Sequence, residues 1–277
     1  MSLLPTEVTE LLPGLLADGP LLFLTGAGIS AESGIPTFRG KEGYWTVGSQ
    51  NYRPEELATR RAFGQMREEV WAWYLYRRSV CRAAEPNAAH HALVELEQVL
   101  GDGFLLVTQN VDGLHLRAGN TLERTYQIHG NIDFHRCWRE CSPPVLLPEA
   151  LGETWERGQS VDVATDALLV CEACGGPSRP HVLWFDECYD EENFRFNSSL
   201  MAIREASGLV IVGTSGATNL PTQLAANAYE RGIPVIAIGP DETPFTRIAE
   251  EGPGAFLRGT ATEWVPVLAD ALIEAST

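Results

Sequence analysis

The sequence predicts an α/β protein: a parallel sheet with helices on both faces, interrupted by two insertions. Three observations carry this. Apolar runs recur at Leu21–Thr25, Phe104–Thr108, Leu209–Val212 and Val235–Ile238, with Ala255–Leu257 as a weaker fifth, and each ends in a glycine or polar turn. Helix-like segments lie between several of them, at His90–Leu100, Leu220–Tyr229 and Thr262–Ile273. Strands alternating with helices imply parallel neighbours covered on both sides, with functional turns gathered at the carboxyl ends of the strands.

The first run feeds Gly26-Ala27-Gly28-Ile29-Ser30-Ala31-Glu32-Ser33-Gly34-Ile35-Pro36-Thr37-Phe38-Arg39-Gly40. A buried strand entering a glycine turn is expected to open onto a helix N-terminus, which aims backbone N–H groups at a phosphate. Gly26, Gly28 and Ala31 fit the dinucleotide spacing G-x-G-x-x-G/A. The acid that normally follows about 20 residues later, closing a second strand, is missing; Gly43-Tyr44-Trp45-Thr46-Val47 stands there instead. A dinucleotide is therefore expected, held otherwise than in a dehydrogenase, with Thr37-Phe38-Arg39 folding back over it.

Two insertions follow the pattern's breaks. The first, 40–84, contains an aromatic-rich helix, Met66 to Ala84. The second, 132–180, holds four of the six cysteines and the stretch Ser142-Pro143-Pro144. Cys137-x3-Cys141 and Cys171-x2-Cys174 are separated by 29 residues. Two thiolate pairs on turns suit a tetrahedral structural zinc ion with four sulfur ligands. His135 and His181 flank the cluster as competing ligands, and four metal-free cysteines are the alternative. Cys81 reads as a buried thiol; Cys188 has no reading.

After the second strand comes Thr108-Gln109-Asn110-Val111-Asp112-Gly113-Leu114-His115. Its amides and carboxylate either grip sugar hydroxyls and a carboxamide or cap the next helix through Asp112 or Asn110. His129, at the end of Thr125–Ile128 and before Gly130, is either a base facing a cleft or a satisfied structural histidine. Gly213-Thr214-Ser215-Gly216 ends the third sheet strand and either admits a phosphate or ribose or forms an ordinary loop.

Composition bounds the partners. With 277 residues, 44% apolar and 21% charged, the chain has globular proportions. A net charge of −17 argues against a nucleic-acid groove, which needs a basic footprint. An acidic surface attracts lysine-rich peptides, although its commoner effect is solubility. No apolar run reaches the length of a membrane span, and Met1 to Pro20 has acids but no bases. The expectation is a cytoplasmic chain without nucleic-acid or membrane partners.

Taken in order, GAGIS…GIPTFRG, TQNVDGLH, HG, the two cysteine pairs, RPHVLWF and GTSG resemble the sirtuin family of NAD-dependent protein deacylases, from about Leu21 to Leu268. The resemblance implies a Rossmann-like NAD-binding domain (1–39, 85–131 and 181–277). It also implies a small domain made of the helical insertion (40–84) and a zinc ribbon (132–180). NAD⁺ and an acylated lysine, on a protein or peptide, would enter the cleft between them. Gly26, Ala27, Gly28, Ser30, Glu32, Thr37, Phe38, Arg39 and Trp45 would surround the NAD, with Ala27 and Gly28 offering N–H groups to the diphosphate and Phe38 and Arg39 covering the nicotinamide ribose. Gln109 would hold the ribose, Asn110 would order it and a water, and Asp112 would bind the nicotinamide carboxamide. Gly213, Thr214 and Ser215, with Gly239 and Asp241, would lie on the adenosine side. The implied reaction has the acyl oxygen displace nicotinamide; His129 then takes a proton from a ribose hydroxyl, and water releases deacylated lysine and O-acyl-ADP-ribose.

Tyr74 and Arg77 match the Y-x-x-R signature of class III sirtuins, which prefer acidic acyl groups such as succinyl or malonyl. Arg77 would pair with the distal carboxylate and Tyr74 would hydrogen-bond to it. Ala58 and Thr37 also fit class III; the alternative places Arg77 beside Arg78 on a solvated helix face. Trp184 and Phe185 would lead into the peptide groove. There the family usually has Gly-Glu where this chain has Asp186-Glu187, and a Val where it has Thr218, with Pro221 one place late. The NAD motifs are intact and the groove is altered, so ADP-ribosyl transfer or NAD hydrolysis stands as the rival activity. A non-catalytic NAD-binding scaffold is disfavoured by the presence of His129, Asn110 and Asp112.

Overall fold

The computed structural model describes residues 4–35 and 54–277; Thr37, Phe38, Arg39 and Trp45 lie outside them. The described residues contain nine strands. These are β1 (Leu21–Thr25), β2 (Phe104–Thr108), β3 (Thr125–Gln127), β4 (Gly130–Cys137), β5 (Val145–Leu146), β6 (Ser178–Val182), β7 (Gly208–Val212), β8 (Val235–Gly239) and β9 (Gly254–Arg258). Six form a sheet of order β3-β2-β1-β7-β8-β9, parallel throughout. This is the doubly wound order, in which the chain builds outward from β1 on one side and from β7 on the other. The crevice of such a sheet opens where the order reverses, at the carboxyl ends of β1 and β7. The register is decisive: Thr25 pairs with Thr108 and with Val212, so the turns that begin at Gly26, Gln109 and Gly213 start level with one another.

The inner strands β1, β2 and β7 are buried along their whole length. Leu21, Phe23, Phe104, Leu106, Val210 and Val212 pack on one face, against helices Ala88–Leu100 and Ala261–Ser276. Leu22, Leu24, Leu105, Val107, Leu209 and Ile211 pack on the other, against helices Phe196–Glu205, Asn219–Arg231 and Pro244–Glu251. A strand covered on both faces reads as a continuous apolar run, as it does here. The helices begin slightly earlier than their apolar patterns suggest, because capping residues set their starts. Asn87 accepts from the N–H groups of Ala89 and His90, and Thr260 forms a capping box with Glu263.

The helix expected directly after the first glycine turn is instead a 3-10 turn, Ala27–Ser33, ended by Gly34 at φ 84°. Gly28 donates its N–H outward to the Gly213 carbonyl at 2.8 Å, and Ile29 bonds back only three residues, to Gly26. An α-helical first turn is therefore not closed.

The second sheet is antiparallel, β5-β4-β6. It buries charge. Asp133 accepts from Arg78 Nε at 2.9 Å and Arg82 Nε at 2.8 Å. Arg179, fully buried, pairs with Glu187 through both terminal nitrogens and lies 3.4 Å from the Trp184 ring centre. Helix Arg67–Ala83 lies across this sheet and shares a core with it: Trp71 and Tyr74 pack with Leu169 and Trp184. Trp71 Nε1 donates to the Ser178 carbonyl at 3.1 Å and Trp184 Nε1 to the Tyr74 hydroxyl at 2.9 Å. The helix and the cysteine-bearing segment thus form one packed unit. No helix among the described residues is long and apolar enough to cross a membrane.

Candidate active site

A cleft of about 680 Å³ opens at the carboxyl ends of β1, β2, β7 and β8. Gly26, Ala27 and Gly28 line it from the first turn, Gln109, Asn110 and Asp112 from the second, Gly213, Thr214 and Ser215 from the third, and Gly239 and Asp241 from the fourth. His129, Arg77, Trp184 and Phe185 line it from the other side. Its size suits a nucleotide-sized ligand.

The glycines bring backbones together. A Cβ on Gly28 would sit 2.5 Å from Gly213 Cα, and one on Gly213 would sit 2.6 Å from Gly28 Cα with φ at +61°. One on Gly26 would meet Thr214 Cβ at 2.7 Å. Only glycine lets the β1 and β7 turns touch backbone to backbone. Because the Gly28 N–H is bonded to Gly213, its contribution here is steric, and the expectation that it donates to a diphosphate is corrected.

The structure shows one of the two roles that the sequence left open for the second turn, a hydrogen bond to the start of the next helix. Asp112 Oδ1 accepts the Leu114 N–H at 2.9 Å, capping the following helix, while Oδ2 accepts from Ser30 Oγ at 2.8 Å. Burial pushes the Asp112 carboxyl up, against the lowering effect of the Leu114 and Ser30 hydrogen bonds. Ser30 is buried behind the cleft and acts through Asp112 and Asn110, whose Nδ2 lies 3.1 Å from Ser30 Oγ and 3.1 Å from the Gly26 carbonyl. Gln109 donates from Nε2 to Thr214 Oγ1 at 2.8 Å and accepts from Thr218 Oγ1 at 2.9 Å.

His129 Nδ1 lies 2.9 Å from the Gln109 carbonyl, which can only accept, so Nδ1 carries the proton. The other nitrogen, Nε2, is then the acceptor, and it faces the Tyr189 hydroxyl at 2.8 Å. Burial lowers the His129 pKa to about 4, against the raising effect of the Gln109 bond. The imidazole is neutral above that range, with its basic nitrogen on the cleft side. Tyr189 carried no signal in the sequence; its role depends on a partner 60 residues away.

Three expectations change. Glu32 faces away from the cleft: its carboxylate accepts from Thr262 N at 3.1 Å, at the start of helix Ala261–Ser276. Burial raises its pKa, but the Thr262 hydrogen bonds outweigh this and the net shift is down. Tyr74 is buried behind the cleft wall, with its hydroxyl accepting from Trp184, and burial pushes its pKa up to about 12. Ala58 is also buried off the cleft, its carbonyl accepting the Phe185 N–H at 3.0 Å. Arg77 does reach the cleft; it is 2% exposed and lies 4.5 Å from the Trp73 ring centre, so it is on no solvated face.

The sulfurs of Cys137, Cys141, Cys171 and Cys174 all lie within 4.8 Å of one another, with three of the separations at 3.3–3.7 Å. A tetrahedron with zinc–sulfur bonds of ~2.3 Å has edges of about 3.8 Å, so the four thiols fit the ion. Glu140, at φ 57°, takes up the extra residue of the x3 pair, and Gly175, at φ 65°, turns the x2 pair. Neither His135 nor His181 joins the cluster; His181 stacks on Phe194 at 5.7 Å.

A family model for the Sir2 family matches residues 26–219. The chain belongs to the Sir2 family. The NAD-dependent protein deacylase of Leptospira interrogans is 40% identical over 245 residues, covering 88% of this chain and 89% of that protein. A solved Sir2 homolog–NAD complex is 36% identical at a TM-score of 0.77, covering 97% of this chain and 94% of that one. A Sir2 homologue mutant in complex with 2′-O-acetyl ADP ribose is 36% identical at 0.76, covering 97% of both. The family assignment accounts for the missing dehydrogenase acid, and in this sirtuin the Gln109–Asp112 turn lines the cleft.

Proposed function

We propose that this sirtuin is an NAD-dependent protein-lysine deacylase that releases nicotinamide and O-acyl-ADP-ribose. The observation that carries the reading is a neutral histidine, tautomer fixed by the Gln109 carbonyl, on the same cleft as Asn110 and Asp112. NAD⁺, as co-substrate, supplies a cleavable nicotinamide–ribose bond. The glycine turns admit the diphosphate, Asn110 and Asp112 orient the nicotinamide end, and His129 Nε2 accepts the ribose hydroxyl proton. The two-domain division given above, with the cleft between the domains, belongs to this reading, as does zinc as a structural ion.

The acyl group preferred is acidic, succinyl or malonyl. Arg77 supports this as a cation lining a cleft whose wall also holds Val111, Val182 and Trp184. Tyr74 acts from behind, its hydroxyl held by Trp184. Incubation with NAD⁺ and acetyl- or succinyl-lysine peptide, followed by mass spectrometry, tests the whole reading. Expected products are nicotinamide and O-acyl-ADP-ribose in equal amounts, lost in His129→Ala. Arg77→Met should reduce succinyl turnover at least tenfold while sparing acetyl turnover. Free ADP-ribose or ADP-ribosylated protein in place of O-acyl-ADP-ribose would establish the rival activity.

A further inference from the structure

The two segments that depart from the family pattern both reach into the cleft. Asp186 accepts the N–H groups of Arg60 and Arg61 at 2.7 and 3.1 Å. Glu187 is tied to Arg179, and Asp190 caps the next short helix through Asn193 N at 2.6 Å. With the chain anchored on both sides, Tyr189 is turned inward, its ring stacked on Phe196 at 5.9 Å and its hydroxyl on His129 Nε2. From the second segment, Thr218 bonds Gln109 and also faces the Tyr189 hydroxyl.

A neutral imidazole has a single acceptor lone pair. The Tyr189 hydroxyl and a ribose hydroxyl therefore exclude each other at Nε2. We propose that Tyr189 is a positioning residue that caps His129: its hydroxyl holds Nε2 until a ribose hydroxyl of the dinucleotide displaces it. This rests on the reading that NAD⁺ places its ribose at His129. The cap keeps the base from water until the nucleotide arrives, so base and substrate are engaged together.

The consequence is unusual in sign: removing the hydroxyl should strengthen binding. ADP-ribose, which carries the same ribose without nicotinamide, is the probe. Isothermal calorimetry should give Tyr189→Phe a Kd about fivefold tighter than wild type, the worth of one neutral hydrogen bond no longer broken. The phenyl ring keeps the stacking on Phe196. In a His129→Ala background the same change should have no effect. The ¹⁵N spectrum supplies a second readout: His129 Nε2 should resonate as a bonded acceptor in wild type with or without ADP-ribose. In Tyr189→Phe, where water reaches Nε2, its shift should move when ADP-ribose is added. Equal or weaker binding by Tyr189→Phe overturns the cap and leaves the NAD reading standing. Absence of ADP-ribose binding to wild type overturns both.

Discussion

Replacing Gly213 by alanine tests the junction on which the cleft is built. Two independent penalties apply. The residue sits at φ +61°, where an L side chain costs about 1–2 kcal/mol. The added Cβ would also lie 2.6 Å from Gly28 Cα and 2.6 Å from Ile29 N, both backbone atoms that cannot rotate away. Overpacking of this kind costs about 1–3 kcal/mol. The sum, roughly 2–5 kcal/mol, corresponds to a fall in Tm of about 3–9 °C for a chain of this size. Gly28→Ala meets the same contact from the opposite side, with its Cβ 2.5 Å from Gly213 Cα. Separating the two turns once accommodates both methyl groups, so the double variant should lose less than the sum of the singles. Urea unfolding of the four proteins measures this. A loss below about 0.5 kcal/mol for Gly213→Ala, or strict additivity, would refute the close-approach reasoning.

Metal analysis should find about one zinc per chain, and Cys171→Ser should lose it; a folded, zinc-free wild type is the contrary result. Glu187→Gln leaves the fully buried Arg179 without its carboxylate and should cost about 3–5 kcal/mol by urea unfolding, whereas an exposed pair would cost under 1. Acid should destabilise the fold through its buried histidines. Burial, with a smaller contribution from His91, lowers the His90 pKa to about 4. The unfolded chain therefore binds a proton near pH 6.5 that the folded chain refuses until about pH 4, and stability falls as pH drops through that window. The loss at pH 5 is about 2 kcal/mol from this residue alone; equal urea midpoints at pH 7.5 and 5 would contradict it.

What could be read from the chain alone followed its hydrophobic pattern. β1, β2, β7 and β8 are apolar runs because both faces are covered, and helix starts were misplaced by only one or two residues where a cap extends the apolar stretch. β4 and β6 were not legible as strands. Their sequences carry Asn131, Asp133, His135 and Arg136, and Arg179 and His181, all of them buried. Such positions look like surface until their partners, among them Arg78 and Glu187, are placed beside them. The cleft turns were recognisable because glycine, amide and carboxylate residues stand at strand ends. Orientation was not: Glu32 and Ser30 are neighbours of the same turn, yet one faces a helix start and the other the back of Asp112. Tyr189 was invisible because nothing within its own segment announces a hydrogen bond to His129.

The stretch Trp184–Glu187 ties together several segments beside the cleft. Trp184 bonds Tyr74, Phe185 bonds Ala58, Asp186 holds Arg60 and Arg61, and Glu187 reaches Arg179 in β6. Four consecutive residues thus rivet the helical segment to the cysteine-bearing sheet. The cysteine cluster and the cleft wall that carries Arg77 are consequently not separable properties of this protein. A disturbance at the cysteines should be felt at Arg77 before it is felt at Gly26 and Gly28, because the sheet that carries the cysteines packs against the helix that carries Arg77.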